Sequence, residues 1–146
     1  MNILSKNNIM IVEQVNDWKE AVKLSVEMLI NNGSVKPEYL TNIYKNVEEL
    51  GPYMLLCPEV VMPHCRPEDG ALNKSISLLK LNKPVKFFDN DTYLYISISA
   101  IDSDSHIDYI QNIVKVISED ELLQSLLKAK DIDTIFNIFN GLQIIY

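Results

Sequence analysis

Two cysteines and two histidines are all that the 146 residues contain of either type. A pair of cysteines, Cys57 and Cys65, is too few for a disulfide framework, and the expected compartment is the reducing cytoplasm. Only four glycines occur, and neither a phosphate-binding loop nor a dinucleotide-binding glycine fingerprint is among the motifs. No stretch approaches the roughly 18 consecutive apolar residues of a membrane span. The first residues, MNILSKNNIMIVEQ, carry one lysine and no small-residue cleavage site, so no secretory signal is expected. Basic residues are also short, 13 against 20 acids for a net charge of -7. An acidic chain without a basic stripe argues against nucleic-acid binding. What remains is 47% hydrophobic, enough for the core of one domain over residues 1–146.

Apolar spacing organises that domain. NDWKEAVKLSVEMLINNGSV predicts a helix, with Asp17 and Glu20 at capping-box spacing and an apolar stripe of Trp18, Ala21, Val22, Val26 and Leu29. Gly33 is its expected stop. KPEYLTNIYKNVEELG predicts a second, with Pro37 in the first turn, Tyr39, Leu40, Ile43, Tyr44, Val47 and Leu50 at helical spacing, and Gly51 at the end. The pattern then changes to short strands. YMLLC and EVVM are separated by Pro58, NKSISLLKL and YLYISISA alternate in part, and KPVKFF is a shorter candidate. Lys83-Pro84 and the DNDT segment read as breakers. Helical spacing returns with Ile107, Ile110, Ile113, Val114 and Ile117, opened by a Ser105/Asp108 capping box. EDELLQSLLKAK, opened by Ser118 and Glu121, and DTIFNIFN are further helices. The expected class is α/β (α+β): a mixed sheet of about four to five strands flanked by helices on both sides.

The chemistry concentrates at LCPEVVMPHCRPEDG, residues 56–70. An apolar run ends in Pro63, and His64 follows at once. Pro63 and Pro67 stiffen the loop, Arg66 supplies a cation two residues away, and Gly70 permits a turn. A rigid, exposed imidazole beside a cation suits a nucleophile for a phosphoryl group, because imidazole is neutral and nucleophilic near pH 7. The plainer alternative is a loop histidine bonded to a neighbour. His106 is expected in the first turn of its helix, where free amides and the macrodipole favour an anion; alternatively it is an ordinary helix-start residue. Zinc is a poor fit, because His64 and Cys65 are adjacent and Cys57 lies eight residues before Cys65, which matches no common ligand spacing. Asp102, Asp104 and Asp108 lack the glycine of a calcium loop, and Ile113 occupies its closing position.

GPYMLLCPEVVMPHCRPEDG resembles the active-site segment of enzyme IIA components of the sugar phosphotransferase system. The likeness is to the mannitol–fructose superfamily, most of all its ascorbate-type branch. Trp18 with Ala21, the KPVKFF segment and SHIDYI extend the resemblance along most of the chain. It implies a mixed sheet flanked by helices, and a metal-free cycle with no cofactor. It implies that His64 accepts a phosphoryl group from the phosphocarrier HPr and passes it to a cysteine of a IIB component, which serves a membrane IIC permease. His106 would hydrogen-bond the phosphoryl group. Arg66, Ser105 and Ser103 are expected to assist in binding it. Two positions depart from the family pattern: Glu59 stands where glycine is usual, and Cys65 where a small residue is usual. A carboxylate pointing inward would slow transfer, and a thiol would make the site sensitive to oxidation. The alternative function is a IIA-like regulatory module phosphorylated on His64 as a signal; the sequence carries no DNA-binding segment, and transport is expected. The sugar and the oligomeric state are not specified by any residue.

Overall fold

Two long strands decide the architecture. Ser75–Phe87 (β4) and Asn90–Ser99 (β5) pair antiparallel, Ile76 opposite Ile98 and Leu78 opposite Ile96. Successive side chains on a strand face opposite ways. Ile76, Leu78, Leu94, Ile96 and Ile98 therefore enter one core, and Leu79, Leu81 and Tyr95 enter another. A sheet apolar on both faces must be covered on both.

The computed structural model describes residues 4–102 and 104–141. Around β4 and β5 the remaining strands are Ile9–Val12 (β1), Leu55–Cys57 (β2) and Val60–Val61 (β3), in the order β1-β4-β5-β3-β2. β1/β4 and β3/β5 are parallel; β2/β3 is antiparallel. Helices Trp18–Asn31 (α1) and Glu38–Leu50 (α2) cover one face. Helices Ile107–Ser118 (α3), Asp120–Lys128 (α4) and Ile132–Gly141 (α5) cover the other. This is the expected mixed, doubly covered sheet.

Local chemistry accounts for the elements. Asp17 caps α1 by accepting the Glu20 amide at 2.8 Å, and the Glu20 carboxylate returns to the Asn16 amide at 2.7 Å, satisfying donors that a helix start leaves open. Gly51, at φ 79°, stops α2. Polar groups inside the sheet are paired. Ser25 Oγ meets Ser97 Oγ at 2.6 Å and donates toward the Tyr95 carbonyl at 3.0 Å. The buried Lys80 ammonium donates to Asn82 and to the Ala129 carbonyl, at 2.8 and 2.9 Å. That places a cation at the C-terminal end of α4, where it suits the helix dipole.

Several expectations are corrected. A strand, β1, precedes the first helix. KPVKFF is no separate strand: it continues β4, and Lys83-Pro84 lie inside it at the register shift between Lys80 and Val85. Proline, which cannot donate to a ladder, is tolerated at such an irregularity. The DNDT segment breaks the chain only at its first residue: Phe88-Asp89 make the turn between β4 and β5, and Asn90, Asp91 and Thr92 already belong to β5. Leu50, Ile107 and Val114 do not join the core and stand exposed; Val116 takes the buried place on α3. Ser118 closes α3 instead of opening α4, its hydroxyl donating back to the Val114 carbonyl.

Candidate active site

β3 ends at Val61, and the chain leaves the sheet through Met62 and Pro63, both buried. The Pro63 carbonyl accepts the Ile98 amide at 3.2 Å, so the loop is still tied to β5 when His64 emerges. His64 Nδ1 lies 2.7 Å from the Met62 carbonyl oxygen. A carbonyl only accepts, so Nδ1 carries the proton and Nε2 keeps its lone pair. Burial, and secondarily the positive charge of His106, hold the His64 imidazole below its ordinary pKa of 6.5, against the opposing pull of the Met62 carbonyl. The ring is therefore neutral at pH 7. Its fixed tautomer and its neutrality are what a nucleophilic nitrogen requires.

His64 opens into a groove of about 340 Å³ lined by Asn46, Leu50, Tyr53, Cys65 and Arg66. The Tyr53 ring meets the imidazole edge-on, with centroids 5.6 Å apart at 72°. Arg66 is three-quarters exposed, and its Nε donates to Asp69 at 3.3 Å. Its charge is thus shared with a carboxylate within the loop. Past Arg66, Pro67–Asp69 form one 3₁₀ turn that ends at Gly70, φ 127°. A second recess, about 460 Å³, lies between Pro67–Glu68 and Ile101–Asp102. The motif loop and the loop leading from β5 to α3 are therefore neighbours.

The second loop ends in His106, the N-cap of α3. The Ser105/Asp108 capping box does not form. Asp102 accepts the Asp104 and Ser105 amides instead, at 2.9 and 2.6 Å, and these bonds hold its carboxyl below the usual range. Asp108 pairs with Lys74 at 2.7 Å. Among the described residues, Ser105 Oγ and His106 Nδ1 are buried atoms with no partner at hydrogen-bond distance. Buried polar atoms are normally satisfied, so these two can still take a polar partner. Ser103 lies outside the described residues.

The two departures are placed as follows. Glu59 sits on the β2–β3 turn. Its backbone carbonyl accepts the Tyr93 and Leu94 amides, and its carboxylate faces the Cys57 thiol at 3.7 Å, not the His64 groove. Cys65 is half-buried, with its thiol donating toward the Tyr39 carbonyl at 3.6 Å. Burial, with Asp69 adding to it, pushes that thiol up to about 12. Thiol chemistry needs the thiolate, which this shift disfavours at neutral pH. Among the described residues, no three of the His, Cys, Asp and Glu side chains are grouped so as to hold a metal ion.

The sequence reading missed Tyr39, Asn46 and Asp102. Tyr39 and Asn46 were legible only as helix residues, and Asp102 only as a poor calcium ligand.

A family profile described as the phosphoenolpyruvate-dependent sugar phosphotransferase system, EIIA 2, matches residues 2–141. The chain belongs to that family. It is 38% identical over 126 residues to the mannitol-specific cryptic phosphotransferase enzyme IIA component of Escherichia coli (strain K12), covering 85% of this chain and 86% of that protein. It is 37% identical over 132 residues to the ascorbate-specific PTS system EIIA component of Salmonella typhi, covering 88% of this chain and 85% of that one. The solution structure of the mannitol-specific cryptic enzyme IIA CmtB from Escherichia coli superimposes with a TM-score of 0.89 at 34% identity, covering 95% of this chain and 96% of that one. The family read from Pro63–Gly70 is the family found, and this EIIA chain resembles its cryptic-mannitol and ascorbate relatives about equally. No helix among its described residues is long and apolar enough to cross a membrane.

Proposed function

We propose that this EIIA chain is a cytoplasmic phosphocarrier that takes a phosphoryl group from HPr on His64 and hands it to a IIB component for sugar uptake through a IIC permease. The observation that carries the reading is the His64 Nδ1–Met62 bond at 2.7 Å, which puts the ring proton on Nδ1 and leaves the Nε2 lone pair available. In the first step the Nε2 lone pair attacks phosphorus in line. The P–N bond of the HPr phosphohistidine breaks, and its imidazole leaves with the electron pair. In the second, a IIB cysteine thiolate attacks the same phosphorus and the bond to Nε2 breaks. Throughout, Nδ1–H stays on the Met62 carbonyl, so the ring needs no tautomer change.

Such transfer is governed by positioning and by stabilisation of the equatorial oxygens. With its proton on Nδ1, His106 would donate to a phosphoryl oxygen, as would the Ser105 hydroxyl, and the start of α3 adds its positive dipole end. Arg66 is an outer cation, close enough to line the groove but shared with Asp69. No metal is needed. Leu50, Tyr53, Ile101 and Ile107, all exposed, flank the two loops and form the apolar ground on which HPr and IIB would dock in turn.

The test is labelling with phosphoenolpyruvate, enzyme I and HPr. Label should appear on His64, be acid-labile and base-stable, and be absent from His64→Ala. Label on another residue would sink the assignment. Label that reaches His64 but passes to no IIB protein would favour the regulatory alternative.

A further inference from the structure

The hydroxyl of Tyr39 is the one polar group of α2 that reaches through the core to the His64 loop and the sheet together. Tyr39 is fully buried in the first turn of the helix. Its hydroxyl lies 2.7 Å from the Ile98 carbonyl and 3.0 Å from the Cys65 amide nitrogen. The single hydroxyl proton goes to the carbonyl, and the oxygen accepts the Cys65 N–H. Ile98 also donates its own amide to Pro63 at 3.2 Å. The residues on either side of His64 are thus tied to the same residue of β5, one directly and one through Tyr39. β5 then runs on to the loop that carries Ser105 and His106. A second group of contacts holds the loop to the same helix: Asn42 Nδ2 donates to the Asp69 carbonyl at 2.9 Å.

We propose that Tyr39 is a positioning residue for the phosphoryl acceptor, its hydroxyl setting where the His64 backbone stands relative to the donors at the start of α3. This rests on the phosphoryl-acceptor reading for its effect on rate, but the hydrogen-bond relay itself does not. A phenylalanine ring would fill the same core space. Only the hydroxyl serves the loop, and without it the Cys65 N–H and the Ile98 carbonyl lose their shared partner in a buried place. A displacement of about 1 Å at a reacting group can cost on the order of a hundred-fold in rate.

Tyr39→Phe in the full chain tests this. Tyr44→Phe is the control: its hydroxyl bonds the Lys19 carbonyl at 2.6 Å, on the same helix but away from His64. In Tyr39→Phe the Cys65 amide should exchange with solvent at least about ten-fold faster than in the wild type, and the His64 ring nitrogens should shift. The kcat for transfer from phospho-HPr should fall about ten- to a hundred-fold with KM for HPr nearly unchanged. Tyr44→Phe should leave kcat and the Cys65 amide as they are. An unchanged Cys65 amide in Tyr39→Phe overturns the proposal, as does an equal loss of kcat in both variants. Absence of label in the wild type would instead sink the acceptor reading, and the Cys65 exchange and His64 shifts would still decide whether Tyr39 positions the loop.

Discussion

The Met62 carbonyl oxygen sits 2.7 Å from His64 Nδ1, so a backbone atom two residues back fixes which imidazole nitrogen keeps its lone pair. The phosphoryl group should therefore be carried on Nε2. In unphosphorylated protein, nitrogen NMR of the ring should show Nδ1 protonated and Nε2 bare at pH 7.5. The opposite tautomer would remove the structural basis for the proposed attack.

The same burial sets a pH dependence. His64 ionises below its ordinary value of 6.5 because the charged ring is poorly solvated. The neutral nucleophile thus persists below that pH, and the acidic limb of the phosphorylation rate should have its midpoint under 6.5. The unfolded chain takes up the proton first, so this histidine is neutral toward stability above 6.5 and lowers it as pH falls toward the native value. A ring titration followed by NMR should give a midpoint below that of a histidine in a short peptide.

Cys65 should be a spectator. Its thiol is pushed up to about 12 and engaged with the Tyr39 carbonyl, so the reactive thiolate is scarce at neutral pH. Native protein should be alkylated by iodoacetamide at least about ten-fold more slowly at Cys65 than a free cysteine, and Cys65→Ala should retain transfer. Rapid alkylation with loss of labelling would restore the oxidation-sensitive site that the sequence suggested.

Gly70 ties the motif loop to α2. At φ 127° it adopts a backbone that other residues rarely take, and a Cβ there would lie 3.2 Å from the Tyr39 amide nitrogen and from Glu38 Cγ. Gly70→Ala is expected to cost about 1–3 kcal/mol of stability, read as a shift in the denaturant midpoint, with slower phosphorylation as the loop moves.

How far the sequence could be read follows the range of the forces involved. α1 was legible because Asp17, Glu20 and the apolar stripe act within one helix. His64, Arg66, Pro67 and Gly70 were legible because they are contiguous. β1 was missed: four residues, Ile9–Val12, are too short to show a period and gain their order from the parallel partner β4. Lys83-Pro84 misled because a register shift absorbs them, which only the paired strand reveals. Leu50 fits the helical spacing of α2, yet it is 65% exposed and lines the His64 groove. Tyr39 reaches Cys65 across 26 residues and Ile98 across 59, and no local pattern signals such a bond.

His106 gives the sharpest division of roles. It caps α3 by position, makes no side-chain cap bond, and leaves Nδ1 buried without a partner among the described residues. A ring kept for capping would bond a helix amide; on the proposed reading this one serves a phosphoryl oxygen instead. A hydrogen bond to a charged group is worth roughly 1.5–3 kcal/mol, and loss of one donor aimed at transition-state charge typically slows a reaction by about 10²–10³. His106→Ala leaves the proposed nucleophile, His64, untouched. That variant should still become labelled on His64, but exchange with HPr and with IIB should slow by on the order of ten- to a thousand-fold. Removing a nearby positive charge should also raise the His64 midpoint slightly, since the His106 charge opposes its protonation. The rates and the titration test different consequences of one contact. Wild-type rates in both directions would reduce His106 to a helix-start residue, and the Ser105 hydroxyl would then be left as the donor to remove next.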